Sequence, residues 1–187
     1  MRNLFPSLAV AALLAFTAQA PAATPAAPSY CTRLPLPLAD LAPLKVDGNP
    51  VHTGHAVECR ALEVRAGRTT LRLAVAATNA QREHGLMNVP FVPAGSGMLF
   101  AFPGGDELRG FWMKDTITPL DMVFVRSDGA IVLIAVNVPA TLPKTPDDKI
   151  ARRQAVAKYV IELGAHESER IGLQPGMQLY ITPVDAK

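Results

Sequence analysis

The chain has 187 residues, including 17 prolines and 13 glycines, which is enough for one domain with a substantial core. Charged residues make up 18% of the chain, below the usual share of about 25%, and the formal net charge is only +2. Because the sequence also contains no cluster of basic residues, its composition gives no support to binding of nucleic acid or of an anionic membrane surface.

The N-terminus has the features of a secretory signal peptide. Arg2 supplies the positive charge, a short apolar run follows, and small residues suit cleavage after Ala22 or Ala23. The apolar run is too short to cross a bilayer core, which takes roughly 20 residues. We therefore predict that residues 1–23 are a signal peptide. The mature protein is then exported, most simply to a periplasm, and has no integral membrane segment.

Residues 24–58 are predicted to form a proline-rich N-terminal arm, because their prolines exclude long helices and central strands. Export permits a disulfide between the two cysteines, Cys31 and Cys59, and free thiols are the alternative. His52, His55 and Cys59 are residue types that bind metals, but their spacing matches no closed zinc or copper site. We therefore predict no metal.

The predicted domain, residues 59–187, consists of short strands separated by turn sequences. Apolar and polar residues alternate in most of these segments. The predicted strands are 62–66, 69–76, 97–102, 110–116, 120–125, 130–136, 158–163 and 177–182. Residues 139–154 are predicted to be a polar loop. Many short strands at this spacing favour a mainly β fold, a compact antiparallel β-sandwich or barrel, over a βαβ sheet.

One or two short helices complete the predicted domain. Thr78 and Gln81 have the spacing of a capping box, and Gly85 suits the left-handed residue that ends a helix. Residues 167–171 are predicted to form a second helical turn. The fold therefore has helices too short to dominate the core.

Several sequence landmarks occur in a fixed order from residue 78 to residue 176. They are Thr78 to Arg82, Gly85-Leu86-Met87, Gly97-Met98-Leu99-Phe100, Phe111-Trp112-Met113-Lys114, Pro119-Leu120-Asp121-Met122, Tyr159-Val160-Ile161-Glu162, Gly172 and Gly176. Together they resemble the signature of a bacterial and archaeal family, the domain of unknown function 192. The resemblance implies a compact, jelly-roll-like domain that is often exported. It implies no catalytic residue, because the family has no established enzymatic activity.

The stretch from Phe111 to Asp121 contains the sharpest candidate site. It holds Trp112, the only tryptophan, with Lys114, Asp115 and Asp121 in otherwise apolar sequence. Charges placed there need partners or a water-filled cleft. Such a cleft could bind a small polar ligand, for example a sugar or a peptide end, or could support acid–base chemistry. The alternative is a structural ion pair between Lys114 and Asp121 with Trp112 in the core.

Arg82 is a second candidate, on the first predicted helix. Its guanidinium could pair with Glu162 or Asp121 and fix a buried carboxylate, or could bind a carboxylate or phosphate of a ligand. Four methionines in apolar segments are expected to pack in the core rather than to bind Cu(I). They are Met87, Met98, Met113 and Met122.

We predict from these features an exported protein of unknown function that binds a small polar ligand or an envelope partner. The hypothetical site comprises Trp112, Lys114, Asp115, Asp121, Arg82 and Glu162. One alternative is an envelope hydrolase that uses Asp121 as acid or base. Another is an accessory protein without a small-molecule site. No nucleotide, nicotinamide or zinc-hydrolase motif is present, so we predict no cofactor and leave open whether the protein is an enzyme.

Overall fold

The computed structural model describes residues 61–182 and the backbone of two short paired strands, β1 (Lys45–Val46) and β2 (Asn49–Pro50). The predicted signal peptide, both cysteines, and His52 and His55 lie outside the described residues. The corresponding predictions of export, disulfide formation and a chance grouping of metal-binding residue types therefore stay predictions.

Nine further strands and two short helices follow in the described chain. They are β3 (Ala61–Ala66), β4 (Thr69–Ala76), α1 (Asn79–His84), β5 (Ser96–Ala101), β6 (Glu107–Trp112), β7 (Leu120–Val125), β8 (Ile131–Val138), β9 (Arg152–Ala157), β10 (Tyr159–Gly164), α2 (Glu167–Arg170) and β11 (Leu179–Tyr180). A single 3₁₀ turn, Asp147–Lys149, precedes β9. The prediction of a mainly β fold with one or two short helices is confirmed.

Seven of these strands form one curled sheet in the order β11-β3-β4-β5-β10-β7-β8. The remaining two, β6 and β9, pair with each other as a separate antiparallel ribbon. Within the large sheet only β4 and β5 run parallel. The antiparallel prediction did not anticipate this pair, which becomes possible because α1 and the following loop carry the chain back between the two strands.

The strand predictions differ from the structure mainly around the ribbon. The strand predicted at 110–116 is β6, which begins and ends earlier, at Glu107 and Trp112. The loop predicted at 139–154 was wrong at its end, because β9 begins at Arg152. Three polar residues open β9, so its sequence lacks the apolar alternation of the other strands, and pairing with β6 makes it a strand.

Side chains on the two faces of the sheet form two separate apolar clusters. Strand β10 illustrates the division, because Ile161 belongs to one cluster and Val160 to the other. Glu162, by alternation, shares the face of Val160, the face on which Phe111 of the ribbon packs. A carboxyl group is thereby placed among apolar side chains in the centre of the sheet.

Close packing of two strands fixes the backbone at Glu162. Gly97 of β5 lies beside β10, and a Cβ atom added to Gly97 would stand 2.1 Å from the carbonyl oxygen of Glu162. No side chain fits in that space, since real Cβ contacts are essentially never shorter than 3.0 Å. Gly97, the first residue of the Gly97-Met98-Leu99-Phe100 landmark, therefore allows β5 to approach β10 closely at Glu162.

Candidate functional site

A cavity of about 430 Å³ opens between helix α1 and strand β6. Strands β5 and β10 also contribute to its wall. Four of the six predicted site residues line this cavity, namely Arg82, Trp112, Lys114 and Glu162. The other two, Asp115 and Asp121, do not. Its volume is within the range of roughly 300–1,000 Å³ that is typical of small-molecule sites.

Local sequence holds α1 in place at the cavity. The Thr78 hydroxyl accepts a hydrogen bond from the backbone N–H of Gln81, and the Gln81 side chain accepts one from the N–H of Thr78, at 3.0 Å. The helix ends where Gly85, at φ +49°, donates its N–H to the carbonyl of Gln81. The predicted capping box and glycine stop are thus confirmed, and they fix the side of the helix from which Arg82 extends.

Three aromatic rings form the apolar part of the cavity wall. Phe111 of the ribbon meets the ring of Phe100 edge to face, with 4.8 Å between centroids, and lies 6.1 Å from Phe102 in the same geometry. All three rings line the cavity. The ribbon is therefore fastened to the sheet by aromatic packing at the place where the cavity opens.

Two guanidinium groups flank the ring of Phe102. The Cζ atom of Arg109 lies 4.4 Å from the ring centroid and that of Arg82 lies 5.2 Å from it. Arg82 also donates to the carbonyl oxygens of Ala77 and Ala101, at 2.7 and 2.8 Å. Burial, and then the charge of Arg109, lower the pKa of Arg82. Two like charges held this close give one wall of the cavity a positive potential.

Glu162 is the buried charged residue of the cavity. Only 5% of its surface is exposed, and its ladder neighbours Met98 and Met122 are buried. In the described part of the chain its carboxyl group has no hydrogen-bond partner, so the proposed pair with Arg82 does not form. Desolvation raises its pKa from 4.5 to about 8. The carboxyl is consequently neutral at pH 7 and can donate a hydrogen bond to a group in the cavity.

Trp112 lies at the rim of the cavity, with 38% of its surface exposed. The Cζ atom of Arg152 is 4.7 Å and the Nζ atom of Lys114 is 5.8 Å from its ring. Lys114 donates to Asp147 at 2.6 Å, and this bond raises the pKa of the lysine. The alternative of a Lys114–Asp121 pair beneath a buried tryptophan was therefore wrong.

Asp121 is completely buried and serves the architecture of the sheet. Its Oδ1 accepts the N–H groups of Asn137 and His166, at 2.8 and 2.9 Å. Its Oδ2 accepts the N–H and the hydroxyl of Ser168, at 2.8 and 2.5 Å. Four donors from β8 and from the start of α2 thus converge on one carboxylate of β7, which fastens three elements together.

Asp115 is exposed in the turn between β6 and β7, at φ +50°. Asparagine and aspartate are the non-glycine residues that best tolerate the left-handed region. The residue therefore shapes the turn, and its carbonyl oxygen accepts the N–H of Asn88 at 2.8 Å.

A second cavity, of about 610 Å³, lies along the ribbon and shares Gly110, Phe111 and Trp112 with the first. Arg152 and Arg153 of β9 line it as well. The sequence did not predict it, because β9 was assigned to a loop. Arg109 and Phe102 were missed for a similar reason, since the stacking that brings them to the site joins separate strands.

The described residues contain neither a metal-binding cluster nor a membrane-spanning helix. There, no group of three or more His, Cys, Asp or Glu side chains is placed to hold a metal ion. Met98, Met113 and Met122 are buried in the apolar cluster that faces the ribbon, which confirms their predicted packing role. Met87 is instead half-buried and lines the first cavity, so the prediction of core packing was wrong for this residue. Within the same part of the chain, no helix has the length and apolar character needed to cross a membrane.

The fold and site define a mainly β protein whose curled sheet and two-stranded ribbon border an open, positively charged cavity. Residues 61–181 match the family called domain of unknown function 192, described as "Uncharacterized ACR". The chain belongs to this family, as its landmarks predicted.

Two solved structures are similar to this chain. A protein from Sinorhizobium meliloti, provisionally described as a transcription regulator, is 34% identical over 66% of this chain and 95% of its own, with a TM-score of 0.56. A protein of unknown function from Novosphingobium aromaticivorans is 26% identical over 70% of this chain and 90% of its own, also with a TM-score of 0.56. Among curated proteins none matches.

Proposed function

We propose that the protein binds a small polar ligand in the cavity between α1 and β6. The observation that carries this proposal is Glu162, a residue only 5% exposed, whose carboxyl group lines the cavity without a hydrogen-bond partner in the described chain. A carboxyl group in such apolar surroundings is costly to ionise, and groups with shifted pKa values concentrate at functional sites. A ligand that supplies the missing hydrogen bond offsets the cost.

The hydrolase alternative finds less support. Asp121 is 0% exposed, and its two oxygens already accept four hydrogen bonds. It also does not line the cavity. An acid or base must reach the proton that it transfers, within about 3 Å or through one water. Asp121 has no such access, so ligand binding is the function that the geometry supports best.

The description of the Sinorhizobium protein as a transcription regulator does not change this proposal. In residues 61–182 the two α-helices have six and four residues, which is too short for a recognition helix that lies in the major groove.

We also propose that the protein is exported, and this rests on the N-terminal sequence. Cleavage after Ala22 or Ala23 yields a mature chain that starts at Ala23 or Thr24. N-terminal sequencing of the protein from a periplasmic fraction is expected to give one of these starts. A cytoplasmic chain that keeps Arg2 would contradict export while leaving the ligand proposal untouched.

Gly110 offers a substitution that fills the site without disturbing the fold. A Cβ atom added there has no atom within 4 Å, and its φ is not in the left-handed region. Because Gly110 lines both cavities, we expect Gly110→Val to block a ligand and weaken binding by roughly tenfold or more. The valine also suits a strand, so the free energy of unfolding is expected to rise by about 0.5–1 kcal/mol.

Trp112, the only tryptophan, reports binding through its fluorescence because it lies at the rim. The probes are glucose, N-acetylglucosamine, glutamate, inorganic phosphate and glycylglycine. The control is Gly105→Val, where an added Cβ also meets no atom and which lies outside both cavities. Binding by the control but not by Gly110→Val is the expected result. Equal binding by both variants, or no response to any probe, would count against a small-molecule site.

A further inference from the structure

Strand β6 has one unpaired edge. Met113, just after β6, donates its N–H to the carbonyl of Ala151 at 3.1 Å, in register with the β6–β9 ladder. Backbone groups along an antiparallel strand point alternately to its two edges. The N–H and C=O groups of Leu108, Gly110 and Trp112 therefore point away from β9. No residue in the described part of the chain forms a hydrogen bond with them.

This free edge borders the candidate site. Gly110 and Trp112 line the first cavity, with α1 forming part of the wall. Exposed edge strands invite pairing with another chain, and proteins commonly block them with lysine, proline or a bulge. Here the middle position is a glycine whose Cβ side is open, and the β6–β9 register has no bulge. A two-stranded ribbon also gains stability from a third strand.

The spacing of the free groups fits an extended backbone. Residues two apart on a strand present their outward N–H and C=O groups at intervals of roughly 6.8 Å. A single sugar or amino acid can satisfy one of these positions but not three in a row. A peptide in the strand conformation satisfies them all, as in other cases of β-strand addition.

The positive charge of the cavity linings favours acidic peptides over neutral or basic ones. The linings of the two cavities carry five cationic side chains against two carboxyl groups, although the whole chain has 18 Lys and Arg against 16 Asp and Glu. The cations are Arg82, Arg109, Lys114, Arg152 and Arg153, and the carboxyl groups are Glu83 and Glu162. Glu107 and Asp147 offset part of this charge through ion pairs. The remaining excess favours an acidic partner.

We propose that the ligand is an extended, acidic peptide segment, which adds a strand to the free edge of β6 and directs one polar side chain toward Glu162. This inference rests on the proposed function, because it names the class of ligand that the same cavity binds. The backbone of Leu108, Gly110 and Trp112 supplies the pairing, and the surrounding arginines supply the preference for acidic sequences.

Peptide probes test the backbone pairing directly. The probe is acetyl-Val-Glu-Val-Glu-Val-amide, measured on the mature chain by Trp112 fluorescence and by calorimetry. Its controls are a copy with N-methyl groups on alternate residues, a copy with lysine for glutamate, and N-acetylglutamate amide, which has the charge without the strand. Strand pairing forms several hydrogen bonds, and the cavity linings carry an excess of cations. We therefore expect the probe to bind at least roughly tenfold more tightly than each control.

A substitution at Gly110 provides a matched test on the protein. Gly110→Pro removes one outward N–H and leaves the ladder with β9 intact, whereas Gly110→Ala keeps that N–H. The proline variant is expected to bind the peptide probe roughly tenfold more weakly than the alanine variant. Both variants are expected to bind N-acetylglutamate amide equally.

The outcomes separate this inference from the proposed function. Equal affinity for the peptide and N-acetylglutamate amide, no effect of N-methylation, or preference for the lysine peptide would overturn the acidic strand but leave the small-ligand cavity. Binding of a sugar or phosphate in place of the peptide would do the same. A cavity that binds none of these probes would overturn both. If Gly110→Pro does not fold, the N-methylated peptide still tests the backbone pairing, because it is measured on the unchanged protein.

Discussion

Replacing Asp121 by alanine is expected to lower the free energy of unfolding by about 3–5 kcal/mol. The carboxylate is fully buried and accepts hydrogen bonds from three backbone N–H groups and one hydroxyl. Alanine leaves all four donors without this acceptor, so β7, β8 and α2 lose their common contact. Urea unfolding followed by circular dichroism measures the loss.

The matched control is Asp148→Ala. Asp148 is exposed, and its 3.5 Å pair with Lys149 is of the kind that contributes at most about 1 kcal/mol. Asp121→Asn adds a second comparison, because its amide places N–H groups against the same donors and is expected to destabilise as well. A melting temperature unchanged in Asp121→Asn would contradict the architectural role and would revive Asp121 as a catalytic acid or base.

Replacing Glu162 by glutamine is expected to have the opposite effect on stability. Folding raises the pKa of Glu162 from 4.5 to about 8, so the unfolded chain releases this proton more easily than the folded one. Wild-type stability therefore falls as the pH rises from about 4.5 to about 8. Glutamine stays neutral throughout. The variant is expected to be more stable by about 3 kcal/mol at pH 7, with little difference below about pH 4.5.

The affinity of Glu162→Gln for the ligand is expected to fall, although its stability rises. Glutamine presents an amide where the neutral carboxyl presents a hydroxyl donor, so Glu162→Gln is expected to bind at least roughly tenfold more weakly. A gain in stability with a loss of binding is typical of a residue kept for function. Glu63→Gln, an exposed change on β3 that lies outside both cavities, is the control and should alter stability by less than about 0.5 kcal/mol. A Glu162→Gln protein that is less stable than wild type at pH 8 would show that the carboxyl has a partner.

Local sequence signals predicted the elements that depend on neighbouring residues. Strand β7 has the predicted bounds, and the Thr78 capping box starts α1 as expected. Strand β9 could not be predicted in the same way, because Arg152, Arg153 and Gln154 carry no apolar alternation and become a strand through their ladder with β6. The parallel pairing of β4 and β5 is equally non-local.

The candidate site was also predictable only in part, because some of its contacts depend on residues distant in sequence. The sequence landmarks include Trp112, Lys114 and Glu162, and in the structure all three residues line one cavity. Sequence did not predict the partners of the charges. Lys114 pairs with Asp147, which is 33 residues away in the predicted loop, and Asp121 meets backbone groups that alternation does not reveal. Periodicity assigns a residue to a face, but its contacts depend on how the faces pack.

A crystal structure of the protein purified under native conditions from its own cells, compared with the same protein refolded from urea, would show whether a ligand occupies the cavity beside Glu162. We expect bound density in the native sample alone, with a polar atom about 2.6–3.2 Å from the Glu162 carboxyl. For a peptide, this density continues as a strand along Gly110 and Trp112. A native sample in which the Glu162 carboxyl is bonded to another side chain of this chain, with the cavity closed around it, would overturn the proposal that a ligand binds there.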